Sequence, residues 1–230
     1  MKKDITGTMR LLQFTDSAFP VGTFSFSNGL ETAAHTGLVH DAATLEDYAY
    51  AAAMQAAYSD GVVALHAFRA ARDDDYDKLL EADRQLILFK MNEEARLMLR
   101  RMGRKMAELS TQIYDSPFLQ QWLEDIKSGV AEGTYPVAQG LAFSLAGLSE
   151  KELFCSHQYG VINMVLSAAL RCVKVSHYDT QRILFKLGGQ SQDLYEEVRS
   201  MTLGDMNAFV PQLDILASLH EKGNMRMFMN

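Results

Sequence analysis

Six histidines (His35, His40, His66, His157, His177 and His220) and two cysteines (Cys155 and Cys172) are the obvious candidates for metal binding or nucleophilic chemistry in this 230-residue chain. Their spacing argues against both. No HExxH, CxxC or close histidine–cysteine set of metal-ligand spacing occurs. Cys155 and His157 come nearest, but positions two apart on a helix point about 200° from each other and do not chelate one ion. Met91, Met98, Met102 and Met106 could be drawn as a soft-metal ladder, although methionines at helical spacing usually form adaptable core or a partner-facing surface. No GxxxxGK[ST], GxSxG or dinucleotide-binding glycine pattern is present. Any nucleotide chemistry would have to come from a partner.

The densest cluster of unusual residues is Asp16-Ser-Ala-Phe19-Pro20-Val-Gly22-Thr-Phe24-Ser-Phe26-Ser27-Asn28-Gly29-Leu30-Glu31. Pro20 fixes φ and Gly22 permits φ > 0, which together force a sharp entry that Thr23 could cap. Glu31 could cap a helix, bind an arginine or attract a cation, but a lone carboxylate is not a catalytic apparatus. Phe24 suits either a core or an interface anchor. These residue types shape a surface rather than perform a reaction. Local rules conflict here: Thr23 to Ser27 alternates before Asn28-Gly29, a hairpin signal, yet Leu30 to Ala34 supplies no second strand. A helix from Phe24 would group Phe26, Leu30, Ala33 and Ala34, at a cost of about 1 kcal/mol for Gly29 inside it.

Two further segments are candidate docking elements. Arg96, Arg100 and Arg104 form an i, i+4 row that either meets an acidic partner or is a solvated face balanced by Glu93, Glu94 and Glu108. The C-terminal His220, Glu221, Arg226 and Phe228 place an aromatic beside a guanidinium, a common hot-spot pairing. Gly223 would free that tail from the preceding helix.

The elements that must position these residues read as helices. Asp41 and Thr44 cap a segment to about Tyr58, and another follows from Val62 to the acidic loop at Asp73. Further helices begin near Tyr76, around Ala95, at Pro117 after Ser116, and at Pro136. Ser149-Glu-Lys-Glu152 is a capping box ahead of the longest helix, which reaches Val175. Thr180 to Leu187, Thr202 to Asp205 and Val210 to Leu219 complete the set. No linker or repeat divides the chain, so residues 1–230 read as one all-α domain, a bundle of about ten helices with a short N-terminal arm (1–8) and a tail (221–230). A charge of −7 and a pI near 5.4 disfavour nucleic-acid binding. No transmembrane helix is expected, because Asn163, Ser167, Arg171 and Lys174 break the most apolar run. On one helix, Cys155 and Cys172 would stand ~25 Å apart, too far for a disulfide, which fits reduced thiols in a cytoplasmic protein.

Four segments in order resemble the UreF family of urease accessory proteins. Phe24 to Glu31 is similar to its aromatic-x-His-Ser-x-Gly-Leu-Glu motif, with Phe26 where many members have histidine. Glu94-Ala-Arg96 with Gly103-Arg104, Tyr135-Pro136 to Gly140, and Pro211 to Glu221 with Arg226-Met-Phe228 resemble its later signatures. The resemblance implies a non-enzymatic chaperone that forms a homodimer, binds UreD (also called UreH) and recruits the GTPase UreG. Nickel would then reach the urease apoprotein, handled by the complex and assigned to no residue of this chain. It also favours a helix in the first motif and a tail that packs near the motif aromatic and is ordered by partners or dimerisation. The partner-binding residues it implies are Phe19, Pro20, Gly22, Phe24, Ser27, Gly29, Leu30, Glu31, His220, Glu221, Arg226 and Phe228. Two other readings are an all-α enzyme pairing Glu31 with His35, His157 or His177 in a helical pocket, and a helical scaffold with no metal role.

Overall fold

The computed structural model describes residues 5–221 and 227–228, and these are helical without a strand. The helices are α1 (Ile5–Thr15), α2 (Leu30–His35), α3 (Ala42–Ala56), α4 (Val62–Arg72), α5 (Tyr76–Phe89), α6 (Glu93–Thr111) and α7 (Pro117–Ser128). They continue as α8 (Tyr135–Leu145), α9 (Glu150–Cys172), α10 (His177–Gly188), α11 (Ser191–Val198) and α12 (Pro211–Glu221). Their starts follow local chemistry. Asp41 with Thr44, Ser149 with Glu152 and Ser176 with Asp179 close capping boxes, and Ser116 caps a helix opened by Pro117.

Two hydrophobic cores share one spine. The larger is built around α4 and α8, with α5, α6, α7 and the start of α9 around them. The smaller joins α2, α3, α10, α12 and the second half of α9. By length and composition α9 could cross a membrane, but 61 % of its most apolar stretch is buried inside this fold. It is the helix common to both cores, which accounts for its apolar character.

Several expectations are revised. Residues 5–8, read as part of an arm, lie in α1, which docks on the body through Arg10 Nη1 to the Ala146 carbonyl (2.8 Å) and Thr15 Oγ1 to Ser156 Oγ (2.8 Å). α11 was not foreseen, and Leu194, Tyr195 and Val198 bury its inner face. Thr202 to Asp205 is a single 3-10 turn. α3 and α4 run on continuously through a π turn at Ala57–Gly61, a widened turn that carries Asp60 into the interior.

Candidate functional site: the junction of motif and tail

The first motif is neither the helix that the resemblance favours nor a hairpin. Gly22 sits at φ +89°, Thr23–Ser25 makes one 3-10 turn, and Phe26 is extended. Thr23 therefore opens a short turn instead of capping a longer helix. Asn28 (φ +53°) and Gly29 (φ +80°) follow, and two consecutive left-handed residues cannot lie inside an α-helix. The helix starts only at Leu30. Gly29 also packs closely: a Cβ there would lie 3.0 Å from Tyr48 Oη and 3.1 Å from the Ala217 nitrogen. Tyr48 Oη donates to the Asn28 carbonyl at 2.7 Å and pins the turn. Replacing Tyr48 with phenylalanine leaves that carbonyl without its donor and is expected to cost about 1–2 kcal/mol in denaturant unfolding.

This bend aims Glu31 inward. Glu31 Oε2 accepts from His220 Nε2 of α12 at 2.7 Å, and His220 Nδ1 meets Glu94 Oε1 of α6 at 2.6 Å. The backbone N–H of Met227 donates to Glu31 Oε1 (2.8 Å) and that of Phe228 to Oε2 (3.2 Å). All three side chains are buried. Burial alone would raise the Glu31 carboxyl, but the Met227, His220 and Phe228 hydrogen bonds together hold it below the ordinary carboxylate range. The Phe228 ring is buried and lies 5.2 Å from the Arg171 guanidinium of α9. One junction thus ties together the first motif, α6, α9, α12 and the tail.

The residues expected to meet partners divide into two groups. Ser27, Gly29, Leu30, Glu31, His220 and Phe228 are buried within the chain, where they shape and hold the junction. Phe19, Pro20 and Gly22 lie on the bend at its surface or half-buried, and Phe24 is 69 % exposed. Arg226 and the Glu221 side chain lie outside the described residues. Of the tail, the backbone N–H groups of Met227 and Phe228 bond to Glu31 within the chain. The arginine row is paired in place: Arg96 Nη1 with Glu93 (2.5 Å), Arg100 Nε with Glu132 (3.0 Å) and Arg104 Nε with Glu108 (3.1 Å). Glu94 does not balance that row but turns inward to His220.

Sequence reasoning missed Glu94 and Arg171. A signal for Glu94 was available, because it stands four residues before Met98 on the same row as Met102 and Met106, so its carboxylate falls on the apolar face. Arg171 left none, since its contact with Phe228 is purely tertiary.

The enzyme reading required a histidine from His35, His157 or His177 at Glu31, and the one that reaches it is His220. His157 instead faces Gln139 Oε1 through Nδ1 (2.9 Å), and burial pushes its imidazole down to about 4, so it is neutral at physiological pH. It lines a cavity of about 120 Å³ together with Phe14, Phe19, Phe24, Met98 and Met102. That volume is well below the range typical of substrate and cofactor pockets. Among the described residues no group of three or more His, Cys, Asp or Glu side chains could hold a metal ion.

The UreF family profile matches residues 39–188, short of both the first motif and the tail. Whole-chain relatives cover those ends. Urease accessory protein UreF 2 of Brucella canis and of Brucella abortus are each 47 % identical over 228 residues, 99 % of this chain and 94 % of theirs. Urease accessory protein UreF of Yersinia pseudotuberculosis is 43 % identical over 222 residues, 96 % of this chain and 97 % of its own. Such proteins are accessory factors rather than enzymes. The all-helical fold, the match across both cores and the near full-length identity place this chain in the UreF family of urease accessory proteins.

Proposed function

We propose that this chain is a cytoplasmic adaptor in urease maturation, which dimerises, binds UreD (UreH) and recruits the GTPase UreG so that nickel enters the urease apoprotein. In this reading nickel is cargo of the assembly, and the chain contributes surfaces. The observation that carries it is the bend from Phe19 to Phe24. Val21 is buried beneath it, Gly22 turns the backbone at φ +89°, and the Phe24 side chain faces outward, 69 % exposed. An exposed aromatic that is already ordered loses little entropy on binding and makes an efficient anchor.

Co-expression with UreD and UreG followed by size-exclusion chromatography with mass determination tests the reading. A co-eluting complex with two copies of this chain supports it, and a lone monomer that ignores both partners overturns it. The Phe24→Ala variant should unfold within about 0.5 kcal/mol of the parent, because the side chain is exposed. Its capture of partners should weaken roughly 30-fold, as for a 2 kcal/mol hot spot. Undiminished capture would remove Phe24 from the interface.

A further inference from the structure

We propose that the cavity beside His157 is a binding site for a phenol, a single neutral ring carrying one hydroxyl donor. His157 of α9 lines that cavity and is only 4 % exposed. Its Nδ1 faces Gln139 Oε1 at 2.9 Å, while its Nε2 is buried without a hydrogen-bond partner among the described residues. An amide oxygen only accepts, so Nδ1 carries the ring hydrogen and Nε2 keeps a lone pair. Burial holds the imidazole neutral at physiological pH, so that lone pair remains an acceptor. A buried acceptor left unmet is costly, and a ligand that brings a donor removes the cost.

The rest of the wall selects what carries the donor. Phe14, Phe19, Met98, Met102 and Met164 line the same cavity. Phe14 and Phe19 already meet edge to face, with 5.3 Å between ring centroids. A further ring extends that arrangement, and methionine sulfurs favour ring edges, whereas an aliphatic alcohol gains neither contact. Charged ligands are disfavoured on both signs. The Nε2 lone pair repels an anion, and Asp60, the buried carboxylate of the wall, is already paired with the Lys90 ammonium. The volume of about 120 Å³ is comparable to the ~150 Å³ cavity that holds benzene. A phenol stays un-ionised below pH ~10 and meets each of these requirements. The exposed Asp16 and Phe24 belong to the wall, so the cavity reaches the surface at the bend. Two sources bring such a ring to that mouth: a free phenol, or the tyrosine side chain of a protein docked there.

The probe is p-cresol, which is the tyrosine side chain cut at its Cβ, and toluene is the same ring without the hydroxyl. In methionine-methyl NMR of the full-length chain, p-cresol should shift the Met98, Met102 and Met164 signals with a Kd on the order of 1 mM or below. Toluene should bind about three- to tenfold more weakly for want of a donor. His157→Phe should erase that preference. Absence of a shift at p-cresol concentrations roughly tenfold above that Kd overturns the proposal. So does toluene binding as tightly as p-cresol, or a His157→Phe variant that keeps the preference; should that variant fail to fold, the two ligands on the parent chain decide. No partner enters these measurements, so their outcome is separate from the adaptor reading. Saturating p-cresol then distinguishes the sources: release of a partner captured by this chain identifies a tyrosine side chain, and an undisturbed complex identifies a free phenol.

Discussion

Replacing Gly103 with alanine is expected to destabilise the fold by about 3–5 kcal/mol, at the upper end for a single added methyl group. An alanine Cβ at this position would stand 2.1 Å from the Gly133 carbonyl oxygen, 2.4 Å from the Thr134 carbonyl carbon and 2.6 Å from the Tyr135 nitrogen. All three are backbone atoms, so no side chain can rotate out of the way. The segment they belong to is itself held. Asp83 of α5 accepts from the Gly133 N–H (2.8 Å), the Thr134 N–H (2.8 Å) and Thr134 Oγ1 (2.7 Å) inside the core. Either α6 moves away from α8 or the Asp83 bonds break, and both open the larger core. In a chain of this size the loss corresponds to a fall in Tm of roughly 10 °C or more. Gly160 of α9 is the control: a Cβ there meets nothing within 4 Å, so Gly160→Ala should be neutral or stabilise by up to about 1 kcal/mol. Thermal unfolding of the two variants side by side checks both. Equal and small effects would mean that the α6–α8 approach is looser than the geometry requires.

The same contact explains how far the sequence could be read. Gly103 belonged to the Glu-x-Arg…Gly-Arg run, yet nothing local shows that it faces the backbone of another helix, since a mid-helix glycine has the same propensity cost for any cause. Capping chemistry was legible at Asp41, Ser116 and Ser149, whose partners lie within four residues, but the equally local box of Ser176 with Asp179 was passed over for a start at Thr180. α11 was invisible because Gln190 offers no cap and its start is set by packing of Leu194, Tyr195 and Val198. The first motif misled local rules because its geometry is imposed from outside, by Tyr48 on the Asn28 carbonyl and by α12 against Gly29. Glu31, His220 and Phe228 were recognisable as unusual, but their mutual contact spans most of the chain. Sequence therefore singled these residues out as unusual without showing that the buried ones bind each other while Phe24 stands outside.

Lys90→Met should produce the second large effect, and its pH dependence makes it diagnostic. Asp60 is carried inward by the π turn, hydrogen-bonded to Ser59 Oγ (2.7 Å) and paired with the Lys90 ammonium in a nearly closed site. Burial alone would raise the Asp60 carboxyl, but the Lys90 charge and these hydrogen bonds outweigh it and hold it below the ordinary range. The neutral His157 imidazole supplies no compensating cation near neutral pH. Removing Lys90 leaves a buried anion, at a cost of about 3–5 kcal/mol. In the parent the depressed carboxyl contributes stability that is present above the unfolded value near 3.9 and lost as pH falls through the folded one. In Lys90→Met the sign reverses. Burial now dominates, Asp60 is easier to protonate folded than unfolded, and the deficit relative to the parent should shrink as pH is lowered from 7 to 5. Adding Asp60→Leu to Lys90→Met should restore much of the loss at neutral pH, because an apolar pair can replace a buried ion pair at little cost. Urea unfolding of the parent, the single variant and the double variant at pH 7 and 5 tests the whole scheme. A deficit that is independent of pH and not relieved by Asp60→Leu would assign the loss to the packing of the lysine stem instead of its charge.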